Sequence, residues 1–285
     1  MIKLIASDMD GTLLDGEGGI SPYNVEMINK AKKQGVHFVI ASGRAYSDIL
    51  PVTQKCHLEC ACVTGNGAEY IDEKGQLVSS CYLGEKEALQ VIDILNSYGI
   101  KFMIYTTDNR YSIEAVENVQ DAFIARSLHH DQTKTYEEVK ARLINHHSIF
   151  RMEEVKDYKT LLPTKKIIKI EAFDVDVSKI DKAKVDFEKM GNVAYLSSFP
   201  DNVEITHIDA TKGKILAKAI SLLGIKENEV MVIGDSYNDL SMFELFENSV
   251  AMKNGEEDVK KVAKYVTEAY YEDGVGKAIQ RWVLK

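Results

Sequence analysis

The chain has 285 residues, of which 45% are hydrophobic and 28% are charged, and its formal net charge is −9. This length and composition predict an ordinary globular protein with one large domain or two smaller ones. The negative charge argues against nucleic acid or an anionic membrane surface as a partner, but an anionic small molecule stays compatible because a bound metal reverses the local field.

The first apolar run is too short for a signal peptide, and no stretch approaches the length of a membrane span, so we expect a cytoplasmic protein. The cysteines are Cys56, Cys60, Cys62 and Cys81, and His57 lies among three of them. Their spacing does not match the paired Cys-x-x-Cys pattern of zinc sites. Small buried thiols in a reducing compartment are therefore favoured over a metal site.

The first 82 residues are predicted to form the first part of a parallel sheet. In chain order we predict a strand over 2–6, a helix over 22–34, strands over 36–41 and 61–64, and a hairpin within 69–82. Ser21 is a favourable N-cap, Pro22 suits the first helical position, and Gly35 ends the helix. Strand, helix and strand form a βαβ unit, whose near-continuous apolar strands favour a sheet that is covered on both faces.

From about residue 83 the pattern changes to helices mixed with strands that suit antiparallel pairing. The predicted elements are a helix closed near Gly99, strands over 101–107 and 111–113, a charged helical region through Leu143, a strand over 166–173, a helix over 177–190 and a strand over 193–197. An α/β pattern returns after Asn202, with strands over 203–206, 229–233 and 249–252 and a last helix over 275–284. We therefore predict a core over 1–82 and 201–285 and an inserted domain over 83–200.

The first predicted strand leads into Asp8-Met9-Asp10-Gly11-Thr12. Of two carboxylates two residues apart, one can attack an electrophile such as phosphorus while the other carries a proton. Together they can also hold Mg²⁺, a hard cation that prefers oxygen ligands. Gly11 lets the chain turn sharply, and Thr12 adds a hydroxyl. Since Asp and Gly are common turn residues, the alternative is an acidic strand-to-loop junction without chemistry.

Three further polar motifs follow predicted strands or begin a predicted helix. They are Ser42-Gly43-Arg44, Lys212-Gly213 and Gly234-Asp235-Ser236-Tyr237-Asn238-Asp239. Taken singly, they are equally well explained as a turn, a solvated lysine and a helix cap. Ligands of open parallel sheets bind beyond the carboxyl ends of the strands, so we expect the motifs to converge. Jointly they provide the nucleophile, proton carrier, positive charge and metal ligands that phosphoryl transfer requires.

This ordered set of motifs resembles the haloacid dehalogenase-like superfamily and, within it, the Cof-type sugar-phosphate phosphatases. The resemblance extends over the whole chain, including the segment between the motifs of Ser42 and Lys212. It implies an α/β fold in which a Rossmann-like parallel-sheet core carries an inserted α/β cap that selects the substrate. It also implies Mg²⁺ as the cofactor.

The resemblance implies roles for the matching positions. Asp8 is expected to attack phosphorus and form an aspartyl-phosphate, and Asp10 to protonate the leaving alcohol and then activate water. The implied Mg²⁺ ligands are Asp8, Asp10 through its backbone carbonyl, Asp235, and Asp239 directly or through water. The phosphate-binding residues are expected to be Thr12, Ser42, Gly43 and Lys212. The candidates for supporting the site or contacting the substrate are Arg44, Asn66, Asn238 and Asn254.

Two further features concern substrate selection and a departure from the family pattern. Within the predicted cap, the candidates for contacting the substrate are Asn109, Arg110, His129 and His130, although an ordinary surface polar residue is the favoured interpretation of each. Relatives commonly carry a glycine at the position of Lys253, which lies in Ala251-Met252-Lys253-Asn254-Gly255. A turn at Lys253 cannot use the freedom of glycine at positive φ.

The predicted function is a Mg²⁺-dependent phosphatase that hydrolyses small phosphorylated metabolites, with sugar phosphates as the expected class. A phosphomutase is the alternative enzyme, because a large cap fits both. A non-catalytic metabolite-binding regulator is a third interpretation, against which the complete set of acidic residues argues, since a sensor does not need Asp10 to activate water. The expected partner is a small phosphorylated metabolite, without nucleic acid or membrane, and the expected state is a monomer or small homo-oligomer.

Overall fold

The computed structural model describes residues 1–146, 148–197 and 199–284. It contains two compact units, one made of Met1–Cys81 with Asp209–Lys285 and the other of Tyr82–Ile208. Within the described residues, no helix combines the length and the apolar character needed to cross a bilayer.

Strands and helices are numbered in chain order. The strands are β1 Leu4–Ser7, β2 His37–Ala41, β3 Ala61–Thr64, β4 Glu69–Ile71, β5 Leu77–Ser80, β6 Lys101–Thr106, β7 Arg110–Ser112, β8 Glu153–Glu154, β9 Ile167–Phe173, β10 Val193–Leu196, β11 Asn202–His207, β12 Val230–Gly234, β13 Asn248–Ala251 and β14 Tyr265–Val266. The α-helices are α1 Pro22–Lys33, α2 Tyr46–Lys55, α3 Glu85–Tyr98, α4 Val116–His130, α5 Tyr136–His146, α6 Tyr158–Leu161, α7 Val177–Met190, α8 Lys212–Leu222, α9 Leu240–Leu245, α10 Glu257–Val262 and α11 Gly274–Trp282.

The first unit is built on an eight-stranded sheet with β1 near its centre, in the order β14-β13-β12-β1-β2-β3-β4-β5. The strands from β14 to β3 run parallel, and β4 and β5 add an antiparallel hairpin at one edge. Ser7 pairs with Ile233 on one side and with Ile40 on the other. The residues that follow β1, β2 and β12 therefore meet at one edge of the sheet, as predicted.

Helices cover both faces of this sheet. Because side chains alternate along a strand, Ile5 of β1 faces a core that includes Ile28 of α1 and Ile279 of α11. Leu4 faces the opposite core, which includes Leu216 of α8 and other residues of α8 and α9. Burial on both faces explains why the parallel strands are apolar at almost every position.

The second unit has its own sheet and its own core. The strand order is β10-β11-β9-β6-β7-β8, and all pairings are antiparallel except that of β7 with β8. Ile92 of α3 and Phe187 of α7 pack with Ile170 of β9 in a buried cluster. A separate core of this kind is what defines a domain.

The predicted domain boundary near residue 200 differs from the structure. The strand predicted over 203–206 is β11, in which Val203 pairs with Ala172 and Ile205 with Ile170. The side chains of Val203 and Ile205 are buried in the core of the second unit. Apolar alternation identifies a strand but not its sheet, so the second unit extends to Ile208 instead of ending before β11.

Helix α2 has no counterpart among the predicted elements. Pro51 lies inside it, and proline removes a backbone donor and commonly ends a helix. Ile49 of this helix is fully buried in the core that also contains Ile5. Tertiary packing therefore stabilises a helix that the local sequence does not predict.

Candidate active site

Asp8 directly follows β1, and its carboxylate is buried beside Lys212. The Lys212 Nζ donates to Asp8 Oδ1 at 2.6 Å and to Asp239 Oδ1 at 2.7 Å. The lysine side chain is 0% exposed. Thr211 caps α8 by accepting the backbone N–H of Lys214, which places Lys212 at the first helical position. Three of the predicted motifs therefore meet through one ammonium group.

Asp235 directly follows β12 and lies beside the turn at Gly11. Thr12 Oγ1 donates to Asp235 Oδ1 at 3.0 Å. Gly11 has a φ of +75°, and a Cβ there would overlap the Asp235 carboxylate. Asp239 Oδ2 accepts the backbone N–H groups of Asp235 at 2.9 Å and of Ser236 at 3.1 Å. Glycine is thus required at position 11 by conformation and by space.

The three carboxyl groups of Asp8, Asp235 and Asp239 outnumber the one ammonium group, that of Lys212. Burial raises the pKa of Asp8 well above its ordinary value; Lys212 opposes the rise, and Asp239 and Asp235 add to it. Burial and the charge of Asp239 raise the pKa of Asp235 to about 6. Burial would lower the pKa of Lys212, but Asp239 and Asp8 outweigh it, and the pKa is raised above its ordinary value. The site therefore holds more negative charge than one lysine offsets.

Three carboxylates of this group fit the predicted cofactor. Oxygens of Asp8, Asp235 and Asp239 lie within 4.8 Å of one another. Set against the single ammonium of Lys212, three ionised carboxylates leave two negative charges, which a divalent cation would balance. Hard oxygen donors suit Mg²⁺. Among the described residues, this is the one cluster of three or more His, Cys, Asp or Glu side chains with such spacing.

Asp10 lies outside that carboxylate cluster and is bound by Arg44. The Arg44 Nε donates to Asp10 Oδ2 at 2.8 Å and the Nη2 to Asp10 Oδ1 at 2.6 Å. The Asp10 side chain is 57% exposed. Burial would lower the pKa of Arg44, but the bonds to Asp10 outweigh it and raise the pKa. Arg44, predicted to support the site or to contact the substrate, is thus the partner of the predicted proton carrier.

Ser42, Gly43, Asn66 and Asn238 form one bonded group at the ends of β2, β3 and β12. Ser42 Oγ accepts the backbone N–H of Arg44 at 3.2 Å, and the Ser42 carbonyl accepts the N–H of Asn66 at 3.1 Å. Asn238 Nδ2 donates to Asn66 Oδ1 at 3.1 Å. The Cα of Gly43 packs against the Asn66 side chain.

Thr12 and Lys253 each contact an acidic side chain. The hydroxyl of Thr12, a residue expected to bind phosphate, donates to Asp235 and so supports the carboxylate cluster. The φ of Lys253 is not positive, because the described non-glycine residues with positive φ lie elsewhere, so the turn does not use the freedom of glycine, as expected. The Lys253 Nζ lies 3.2 Å from Glu272.

Asn254, which follows Lys253, reaches the turn after β1. Its Nδ2 donates to the carbonyl of Gly11 at 2.9 Å, and its Oδ1 accepts the N–H of Tyr270 at 3.0 Å. It therefore braces the loop that carries Asp8 and Asp10, which is consistent with a supporting position.

Ser241 was not predicted, although it contacts the start of α8. Its Oγ accepts the N–H of Gly213 at 3.1 Å, and a Cβ at Gly213 would overlap the Ser241 carbonyl. The glycine after Lys212 signals a close approach of this kind. Nothing in the sequence marks Ser241 as the partner, because it lies 28 residues away.

The four candidates in the second unit belong to two elements. Asn109 and Arg110 belong to the β6–β7 hairpin, where Asn109 Oδ1 accepts the N–H of Arg110 at 2.8 Å. His129 and His130 end α4, and His130 Nε2 is 2.6 Å from Asp201 Oδ2.

The chain is similar to known phosphatases over almost its full length. The sequence pattern of the haloacid dehalogenase-like hydrolases matches residues 5–279. The 5-amino-6-(5-phospho-D-ribitylamino)uracil phosphatase YcsE of Bacillus subtilis (strain 168) is 30% identical over 284 residues, which cover 99% of this chain and 96% of that protein. The YwtE phosphatase of the same organism, named for the same compound, is 29% identical, and the match covers 96% of each protein.

Solved structures share the fold. A haloacid dehalogenase-like hydrolase from B. subtilis matches with a TM-score of 0.86 and 25% identity, covering 99% of this chain and 100% of that one. The crystal structure of TM0651 from Thermotoga maritima matches with a TM-score of 0.78 and 23% identity, covering 100% of this chain and 99% of that one. The predicted α/β fold class is confirmed.

Proposed function

The chain belongs to the haloacid dehalogenase-like hydrolase family and is a phosphatase of that family, and from this premise we propose that it is a Mg²⁺-dependent phosphomonoesterase of small phosphorylated metabolites, sugar phosphates above all. The observation that carries the proposal is the buried contact of Lys212 with both Asp8 and Asp239. It joins a nucleophile to the positive charge that its reaction requires.

In the first step, an oxygen of Asp8 attacks phosphorus and the bond to the leaving oxygen breaks. Asp10 gives the leaving oxygen its proton, and the two bonds from Arg44 orient that carboxyl group. A carboxylate and a phosphate dianion repel each other. The Lys212 ammonium, 2.6 Å from Asp8 Oδ1, reduces this repulsion and stabilises charge on the transferring group.

In the second step, water attacks the phosphorus of the aspartyl-phosphate, Asp10 takes the proton of that water, and the bond to Asp8 breaks. Inorganic phosphate leaves and both carboxyl groups return to their first state. Asp8, Asp235 and Asp239 would hold the metal. Bound there, Mg²⁺ supplies further charge neutralisation for the phosphoryl group. Ser42 and Gly43, beside the end of β2, are the groups proposed to contact the phosphoryl oxygens.

A substrate panel tests this function. It contains sugar phosphates, nucleotides and 5-amino-6-(5-phospho-D-ribitylamino)uracil, the compound in the names of two relatives. We expect release of inorganic phosphate that a chelator abolishes and MgCl2 restores. Full activity in the chelator would contradict the metal requirement. Movement of phosphate between positions of one sugar, without release, would indicate a mutase instead.

The second unit, Tyr82–Ile208, is proposed to select the substrate. Its separate core supports its treatment as a domain with a role of its own. The variants Arg110→Ala and His130→Ala should change the relative rates across the panel and leave hydrolysis of a small aryl phosphate within about twofold. Relative rates that match the wild type in both variants would argue against selection by these residues.

A further inference from the structure

The turn after β3, Gly65-Asn66-Gly67, contacts three other segments that carry predicted site residues. Its backbone bonds to the Ser42 carbonyl, and its side-chain amide bonds to Asn238. Gly67 packs so closely on the backbone of Thr211 that a Cβ there would overlap it. Since Thr211 directly precedes Lys212, the turn lies against the phosphate-binding, metal-binding and lysine-bearing segments at once.

Asn66 holds an unusual conformation at the centre of this turn. Its φ is +57° and its surface is 2% exposed. Left-handed backbone disfavours most residues with a side chain, asparagine less than others, and a buried polar residue adds a desolvation cost. His57 also has a positive φ, at 54°, but it is exposed. Glycine would adopt this backbone conformation without strain. What asparagine adds at position 66 is its side-chain amide.

Two bonds connect Asn66 to both sides of the site. Its N–H donates to the Ser42 carbonyl at 3.1 Å, and its Oδ1 accepts from Asn238 Nδ2 at 3.1 Å. Asn238 Oδ1 in turn accepts from Ser236 Oγ at 2.8 Å. Ser236 and Asn238 lie between Asp235 and Asp239. Through its backbone N–H and its side-chain oxygen, Asn66 therefore links the loop after β2 to the loop that carries two of the three clustered carboxylates.

The space around Asn66 is matched to this link. A Cβ at Gly43 would lie 2.9 Å from Asn66 Oδ1 and 3.2 Å from its Nδ2, closer than ordinary contact. The glycine after Ser42 thus makes room for the amide. Gly43 packs against the Asn66 side chain and Gly67 against the Thr211 backbone. This close packing restricts movement of the turn at 65–67.

We infer that Asn66 is a positioning residue, whose bond to Asn238 holds the carboxylate-bearing loop at a set distance from Ser42. The inference rests on the proposed phosphatase function. The phosphoryl group must meet Ser42 on one side and Asp8 with its metal on the other, so a shift of one loop misplaces both. A displacement of about 1 Å in such a site can cost about 10²-fold in rate.

The test uses the full chain and two variants that break the same bond, Asn66→Gly and Asn238→Ala. Asn66→Gly suits the left-handed backbone, keeps the N–H bond to Ser42 and should retain the fold. We expect kcat/KM to fall about 10- to 100-fold in each. Since both single variants lose the same Asn66–Asn238 bond, the loss in the double variant should be smaller than the product of the two single losses. His57→Gly is the matched control, a glycine at an exposed positive-φ residue, and should keep wild-type kinetics.

A binding measurement separates this inference from the proposed function. With calorimetry in MgCl2, wild type and His57→Gly should bind inorganic phosphate, and Asn66→Gly should bind it several-fold more weakly. If wild type neither binds phosphate nor releases it from any substrate, the proposed function fails. If wild type does both and the two bridge variants match it within twofold, or if their losses simply multiply in the double variant, the positioning role of Asn66 is refuted.

Discussion

Each unit buries a lysine against two carboxylates, yet the two groups differ in their total charge. In the first unit Lys212 bonds to Asp8 and Asp239. In the second unit Lys169 lies beside two glutamates on its own and the neighbouring strand. Burial would lower the pKa of both lysines, and in both the carboxylates outweigh burial and raise it.

The group around Lys169 is balanced. Its Nζ lies 2.8 Å from Glu204, 3.5 Å from Glu171 and 4.8 Å from the ring centroid of Tyr105. The guanidinium of Arg110 lies over the same ring at 5.2 Å. Two cations and two carboxylates cancel. A network of this kind specifies how the sheet packs.

The group around Lys212 contains a third carboxylate, Asp235, and keeps two net negative charges when ionised. Burial raises the pKa of both Asp8 and Asp235. An uncompensated buried charge costs stability, so its retention points to function. The comparison teaches that an excess of buried like charge marks the site, whereas a buried ion pair alone does not.

The largest expected effect separates Asp8 from Asp10. Asp8→Asn should abolish turnover and covalent phosphate together, because an amide is too weak a nucleophile. Asp10→Asn loses proton transfer, worth about 10²–10⁴-fold per step, but leaves Asp8 able to attack. With an aryl phosphate of low leaving-group pKa, phosphoenzyme should then accumulate. Intact-protein mass after brief exposure measures it.

Two results would contradict these assignments. Wild-type turnover in Asp8→Asn would mean that another group, such as a bound water, attacks phosphorus. Normal turnover by Asp10→Asn without an adduct would assign the proton transfers to a different residue.

The second prediction exchanges each buried lysine for methionine. Lys212→Met and Lys169→Met should each lose about 3–5 kcal/mol of unfolding free energy, because each leaves buried carboxylates without their cation. Only Lys212→Met should also lose about 10²–10³-fold in kcat, since it removes charge stabilisation of the phosphoryl group. Urea unfolding and initial rates under folding conditions measure the two quantities. A comparable loss of kcat in folded Lys169→Met would contradict the claim that only the group around Lys212 acts in catalysis.

The third prediction concerns metal binding in the absence of substrate. At MgCl2 concentrations 100 times the dissociation constant, mass action should raise the unfolding free energy by about 2.7 kcal/mol. Lys169→Met should gain the same amount as wild type, and Asp235→Asn should gain much less. Thermal melts with and without MgCl2 report this gain. An equal gain in Asp235→Asn would place the ion elsewhere.

The smallest expected effect is a pH dependence of the metal-free protein. The pKa of Asp235 is raised from 3.8 to about 6 in the folded state. A raised carboxyl pKa contributes stability below its ordinary pKa, and this contribution is lost as the pH rises through about 6. In chelator, the stability of wild type relative to Asp235→Asn should therefore fall by about 1–2 kcal/mol over that window, after allowance for solvent screening. If the stability of wild type relative to Asp235→Asn stays constant or rises over that window, the pKa of Asp235 is not raised by its surroundings.

Much of the fold could be predicted because local rules sufficed. Ser21 accepts the N–H of Asn24 and caps α1, and Gly99 ends α3 in the left-handed conformation, both as predicted. The helix α2 and the sheet membership of β11 could not be predicted. Burial of Ile49 overrides the local effect of Pro51, and β11 is assigned by its pairing with β9.

The sequence by itself determined which chemical groups stand at the ends of the parallel strands, since Asp8, Ser42 and Asp235 each follow an apolar run that must be buried. Only the tertiary structure decided how those groups are bonded. It turned the Thr12 hydroxyl to Asp235 and joined Asn66 to Asn238 across 172 residues. Hydrogen bonds between distant loops depend on strand register and close backbone packing, which no local pattern encodes.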